Sequence, residues 1–451
     1  MKTRRIKRAL FVSFVTIISL TLLRSYVTYV RIIPLYGYTP KAEKPILYKE
    51  NLFNGEFQTS CEKYAKENLG FMPFFVRVHN QFVYSVLSES PNTQIVYGKD
   101  GYLYDGTYIS TVAGMDFIGD SAINEKLYRL SKVKDTLEKL NKKVIVMFAP
   151  NKTRFSPENI PEQILKKLKG KKNNYDYMIK AIEKTSIPYI DFNKWIISMK
   201  DTSTYALIPK KGIHWSRYAS ALAMDSIIEY ISKMENIALP KLVIDSLVHS
   251  KNPKFYDSDL GYLLNVLWAK EEKNLIYPFF HIDSTNADKK KIRPLVIGDS
   301  FFWDIFDMGL LDKVLYNGEL WYYCREIHSG SIKEEKPKKD PLGTKDLHNE
   351  INKFDLFILF QTEHNLNNFG FGFIDLAYNM FFVDGVGHKQ KKIVKKVDPQ
   401  KKKERIEFYK KNIYADKKWL DDIKKKAEYK KITLEHAILQ DAEYLFEQEN
   451  Q

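Results

Sequence analysis

Cysteine is nearly missing from this 451-residue chain. Cys61 and Cys324 are the only two, too few and too far apart for a zinc site, and they are expected to be two independent thiols. No glycine-rich phosphate loop is present, so neither a metal nor a nucleotide cofactor is expected. Histidine is scarce as well, at nine residues, so each one beside a turn deserves a chemical reading. The formal net charge of +15 raises nucleic acid as a partner. However, no nucleic-acid motif accompanies it, and much of the excess lies in one late stretch, Lys389 to Arg405. With 44% hydrophobic and 14% aromatic residues, the chain is globular and long enough to bury a full core.

Long apolar runs are also few. The main one, Ala9 to Leu23, follows Lys2, Arg4, Arg5, Lys7 and Arg8 and carries no charge. Counted through Val30, with Arg24 snorkelling to the interface, it gives roughly 33 Å of helix at about 1.5 Å per residue. No small-x-small cleavage site follows. An uncleaved transmembrane signal anchor is therefore expected, with the basic tip in the cytoplasm and everything after it exported. Tyr26, Tyr29 and Tyr36 suit the outer interface.

The rest alternates strand and helix. Asp100-Gly101 between Ile95–Tyr97 and Tyr102–Tyr104 is a hairpin signal. Glu125 to Leu140 has helical apolar spacing, and Val144 to Phe148 reads as a buried strand. Tyr175 to Lys184 reads as the next helix and Ile187 to Phe192 as the next strand, the order of a right-handed parallel unit. Asn151 and Lys152, just beyond the strand at Phe148, are candidate site-lining residues, because ligands bind beyond the carboxyl ends of such strands. Further on, Lys313 to Tyr316 and Glu319 to Tyr323 read as strands. Arg325 follows as a candidate for an anionic sugar or a carbonyl. Asn236 to Lys291 reads as a polar connector.

Two segments carry chemistry. Pro294 to Ile297 reads as a short parallel strand, Gly298-Asp299 as a tight turn, and Phe301 to Leu311 as a helix. Ser300 thus stands at a strand-to-helix turn, beside unpaired helix amides, where a nucleophile and an oxyanion can be held. Upstream, Lys211-Gly212-Ile213-His214-Trp215-Ser216 leads into a helix. A serine nucleophile needs a neutral imidazole nearby to take its proton.

Gly298-Asp299-Ser300-Phe301 with His214-Trp215 upstream resembles the SGNH-hydrolase-like proteins of alginate O-acetyltransferase type. Ile95 to Tyr104 and Phe148 to Pro161 (FAPNKTRFSPENIP) are similar to further stretches of that family. The resemblance runs, with gaps, over about Glu62 to Gly372. It implies an α/β, SGNH-hydrolase-like three-layer fold with a mostly parallel sheet, preceded by the transmembrane helix and followed by a helical tail. It also implies Ser300 as nucleophile and His214 as its base, with acetyl transfer to a polysaccharide acceptor. The acetyl donor would be delivered by a multispanning membrane acyltransferase, with the main domain in the periplasm or extracytoplasmic space. Trp215, Asn151, Lys152 and Arg325 are the candidate substrate-binding residues.

One departure matters. The family has an aspartate two residues before the histidine, and Gly212 occupies that place. Asp191 or Glu363 is a candidate substitute, a Ser-His dyad is a second reading, and a weak or inactive glycan-binding or assembly protein is a third. An SGNH-type carbohydrate esterase would use the same residues. In the loop Gln361 to Leu366, after the strand Phe354–Phe360, either Glu363 supports His214 or Asn365 helps hold an oxyanion. The expected organisation is a cytoplasmic tip at 1–8, the anchor at 9–30 and a linker with helical and hairpin elements at 31–110. The catalytic domain at 111–385 and a basic helical tail at 386–451, with Thr433 placed to cap its last helix, complete it.

Overall fold

The computed structural model describes residues 2–26, 33–37, 42–68, 70–168, 170–269, 272, 274–331, 337–339 and 347–383, with scattered positions between 406 and 442. It divides into two compact units, Met1–Val383 and Asp384–Gln451.

Eleven strands form among the described residues, numbered in chain order. They are β1 (Ile95–Tyr97), β2 (Leu103–Asp105), β3 (Lys143–Ala149), β4 (Tyr189–Asp191), β5 (Lys241–His249), β6 (Ile276–Asp283), β7 (Pro294–Gly298), β8 (Glu319–Tyr322), β9 (Glu326–Ser329), β10 (Lys338–Lys339) and β11 (Leu356–Thr362). Seven of them make the central sheet in the order β10-β9-β8-β7-β11-β3-β4. The pairs from β8 to β4 are parallel, whereas β9 and β10 add an antiparallel edge. This is an α/β fold with a mixed, mostly parallel sheet.

Alternation along the strands makes the three layers. Ile145, Met147, Val296, Ile358 and Phe360 point to one face, where they meet the helix Arg217–Glu235 and the helix Trp303–Met308. Val144, Val146, Phe148, Leu295, Ile297, Phe357 and Leu359 point to the other, against helices Asp120–Lys139, Asn174–Ile182 and Phe373–Phe382. Strands buried on both faces are apolar over most of their length, which is why β3, β7 and β11 hold the apolar runs visible in the sequence.

The hairpin expected at Asp100-Gly101 forms, with Val96 opposite Tyr104. Two other readings are corrected. Lys313 to Tyr316 is not a strand: Leu310–Val314 is a turn of π-helix entered through Gly309 at φ +93°. Asn236 to Lys291 is not a bare connector either. It folds an antiparallel pair, β5 with β6, and a short helix Asp259–Leu263. Most of β5 is exposed, so it shows no buried-strand signature.

Lys2–Tyr26 is one helix of 25 residues. Among the described residues no helix is long and apolar enough to cross a membrane. The basic residues at its start and Arg24 near its end leave only Ala9–Leu23 uncharged, about 22 Å at 1.5 Å per residue, against a bilayer core of about 30 Å. The rest of the expected anchor, Val27–Val30 with Tyr29, lies outside the described residues, as do the basic run Lys389–Arg405 and Trp419. In the second unit Ile406, Ile413, Ile423, Ala437, Ile438 and Ala442 form a small core. The Thr433 hydroxyl accepts from the His436 amide at 3.3 Å, as a cap should.

Candidate active site

Ser300 lies where β7 ends and the chain turns into helix, and Asp299 builds that turn. Its carboxylate accepts from the Phe301 amide at 3.2 Å, the Thr362 amide at 2.7 Å, the Thr362 hydroxyl at 2.8 Å and the Asn365 side-chain amide at 2.8 Å. Asp299 is fully buried, so these four donors satisfy a carboxylate that would otherwise be costly to bury. They also lock the serine turn to the end of β11.

His214 meets the serine from the other side. Its Nε2 is 2.9 Å from Ser300 Oγ, and its Nδ1 is 2.6 Å from Asp259 Oδ2. Asp259 Oδ1 accepts from the Ile213 and Leu260 amides, each at 2.8 Å. The imidazole is therefore clamped by a carboxylate that is itself fixed by two backbone donors, with the rings of Phe301 and Tyr256 4.5 and 5.1 Å away. Serine, histidine and aspartate thus form one hydrogen-bonded chain, the arrangement that raises the nucleophilicity of a hydroxyl.

Asp259 is the residue sequence reasoning missed. It sits 45 positions beyond the histidine, at the start of a short helix in a stretch read as connector, and no spacing rule links the two. Gly212 supplies the reason for the exchange. A Cβ there would lie 3.0 Å from the Tyr256 carbonyl oxygen and 3.1 Å from that of Asp257. The loop bringing Asp259 to His214 occupies the space that a side chain at 212 would need.

The two candidate substitutes do other work. Asp191 accepts from the Tyr175 hydroxyl at 2.9 and 3.0 Å and caps the helix Phe192–Ser198 through the Lys194 amide at 3.1 Å. Glu363 is buried in a two-bond pair with Arg154, both bonds 2.6 Å, and accepts from Asn151 Nδ2 at 3.0 Å. Neither touches His214. Asn365 spends Nδ2 on Asp299 and, at 3.1 Å, on the Thr362 hydroxyl, so it steadies the turn instead of facing an oxyanion.

Tyr323 is the second omission, hidden in an apolar run. Tyr323 and Cys324 are both left-handed, at φ +50° and +51°, an unusual pair for non-glycine residues. The strained turn beyond β8 holds the Tyr323 hydroxyl against Ser300 and Asn365, and burial pushes it up to about 12. It therefore stays protonated and able to donate.

The candidate substrate-binding residues mostly face inward. Trp215 is fully buried and donates Nε1 to the Phe301 carbonyl at 3.2 Å, tying the histidine segment to the serine helix. Asn151 is buried, caps the turn after β3 by accepting from the Thr153 amide at 2.8 Å, and donates its own backbone N–H to Asn193 Oδ1 at 2.7 Å. Lys152 Nζ donates to the carbonyls of Lys210 and Gly212, at 2.7 and 2.8 Å, so it braces the loop that leads to His214. Burial lowers it to about 7, against Glu272 and Asp259, which raise it. Arg325 is exposed in the turn between β8 and β9. Arg217 adds a further tie, donating to the Asp304 carbonyl and carboxylate, both at 2.9 Å.

Residues 95–253 match the family model described as "SGNH hydrolase-like domain, acetyltransferase AlgX". The matched stretch includes His214 and ends before Asp259 and Ser300. No curated protein matches the chain. Among solved structures, the chain is similar to the O-acetyltransferase domain of Pseudomonas putida AlgJ, at 14% identity and a TM-score of 0.40, covering 63% of this chain and 99% of that one. It is also similar to Pseudomonas aeruginosa AlgX, at 14% identity and 0.38, covering 62% and 67%. Bacillus cereus PatB1 with a sulfonyl adduct matches at 12% identity and 0.36, covering 56% and 93%. The family model thus covers Ile95 to Tyr104, Phe148 to Pro161 and His214-Trp215, and its match to the SGNH-hydrolase-like acetyltransferase family extends over residues 95–253.

Proposed function

We propose that this protein is an O-acetyltransferase that moves an acetyl group onto a hydroxyl of a polysaccharide through Ser300, His214 and Asp259. The observation that carries this reading is the hydrogen-bonded chain from Ser300 Oγ through His214 to Asp259, at 2.9 and 2.6 Å. His214 Nε2 takes the serine proton as Oγ attacks the acetyl carbonyl, and returns it to the leaving group of the donor. The carbonyl oxygen becomes an oxyanion beside the Ser300 amide and the Tyr323 hydroxyl. In the second half, His214 takes the proton of a sugar hydroxyl, whose oxygen attacks the acetyl-serine ester, and returns it to Oγ as the ester bond breaks. A carboxylate on Nδ1 supports an active enzyme over the dyad and the inactive glycan-binding readings.

We place the domain outside the cytoplasm, tethered by the N-terminal helix and receiving acetyl from a multispanning membrane acyltransferase. What supports this is the basic start of that helix and its apolar surface. Leu10, Phe11, Val12, Phe14, Ile17 and Leu20 are all exposed, as for a segment that associates with lipid rather than with a core. Ser300→Ala is the test. Acetyl transfer from an acetyl ester to glycan should fall to background, with no labelling by a serine-directed sulfonyl reagent. Unchanged transfer overturns the reading, and release of acetate with no transfer to any glycan favours the esterase.

A further inference from the structure

Beside the carboxyl ends of β3 and β4 lies a cavity of about 610 Å³, within the range of small-molecule sites. Its lining includes Thr153, Arg154, Tyr175, Tyr189 and Asp191, with apolar walls from Ile179 and Ile197. None of these takes part in the Ser300 chain. In the sheet order, β11 separates β3 from β7, and β4 lies beyond β3. At about 4.8 Å per strand, the cavity stands roughly 10–14 Å from the serine turn along the same carboxyl edge. That distance is roughly two to three sugar units of an extended chain.

We infer that this cavity is a distal subsite for the acceptor, and that it takes an uncharged, hydroxyl-rich sugar unit. The inference rests on the acetyltransferase reading for what the bound chain is used for. Tyr189 lines the cavity with a ring that can meet the C–H side of a pyranose, beside Tyr175, whose own ring carries the Arg154 guanidinium 4.4 Å from its centre. Asp191, half-buried, offers carboxylate lone pairs beyond those used by Tyr175 and Lys194. Thr153 is 1% exposed and its hydroxyl has no hydrogen-bond partner, a buried group that a sugar hydroxyl would satisfy.

Charge decides the class. The ionisable lining groups are Arg154, Lys194, Glu183 and Asp191, two of each sign. The Arg154 guanidinium is already spent on Glu363 and, at 3.0 Å each, on Asn173 and Asp176. That leaves the Lys194 ammonium as the one lining cation against the carboxylates of Glu183 and Asp191, a net negative balance that disfavours a uronate, so the site selects a neutral hexose or N-acetylhexosamine.

The test titrates full-length Ser300→Ala protein with N-acetylglucosamine oligomers, from the monosaccharide to about the hexamer, and with glucuronate oligomers of the same lengths. Affinity for the neutral series should tighten about tenfold once the chain is long enough to reach the cavity. That increment should vanish when Ile197→Trp fills the cavity and when Tyr189→Ala removes a ring. The uronate series should show no increment. A neutral series without an increment, an increment surviving both substitutions, or one confined to uronates overturns the subsite. Because binding is read in a protein without its nucleophile, failure of acetyl transfer in the unsubstituted protein bears on the catalytic reading alone.

Discussion

Replacing Asp259 by asparagine tests the least expected part of the site. Asp259 Oδ1 is held by the Ile213 and Leu260 amides and Oδ2 faces His214 Nδ1. An asparagine must keep its carbonyl oxygen on the two amides, because turning the group over would lose both bonds at about 1 kcal/mol each. Its NH2 then points at Nδ1 and makes that nitrogen an acceptor. The proton moves to Nε2, and the imidazole can no longer take the serine proton. The comparable change in a serine-protease triad lowers turnover by about 10⁴, or about 5 kcal/mol at 1.36 kcal/mol per decade. Turnover of a chromogenic acetyl ester, measured beside thermal unfolding, reads this directly. We expect a loss of about 10³–10⁴ with the melting temperature nearly unchanged. A loss below about tenfold refutes the orienting role, and the Ser-His dyad would then be sufficient.

Two further substitutions probe the histidine loop. Gly212→Asp restores the carboxylate of the family pattern, but its Cβ would press on the carbonyls of Tyr256 and Asp257. It should destabilise by about 1–3 kcal/mol in denaturant melts and restore no turnover in an Asp259→Asn background; rescue there would show that the loop yields. Lys152→Met removes a buried ammonium that braces the loop among Glu272, Asp259, Tyr102 and Tyr104. Burial lowers Lys152 from 10.5 to about 7, so the folded protein binds fewer protons than the unfolded chain between those values. Its stability relative to the Met variant should therefore rise from about pH 7 towards 10 and be flat below 7. A pH-independent difference between the two melts contradicts that burial effect.

The sequence by itself determined what depends on local chemistry. β3, β7 and β11 are buried on both faces, so each holds a run of apolar residues, and the helices between them carry the 3.6-residue period. Ser300 and His214 were legible because each sits at an element boundary with turn or cap residues beside it. Only the tertiary structure decided what completes them. Asp259 reaches His214 from 45 residues away because the loop at 256–259 folds over Gly212. Asp191 and Glu363, which looked as suitable by position, are committed to Tyr175 and Arg154. Tyr323 reads as one more apolar residue until a left-handed turn sets its hydroxyl beside Ser300. Spacing along a chain encodes helix faces and strand faces. It does not encode which distant carboxylate a histidine will meet, because that is fixed by how the loops pack.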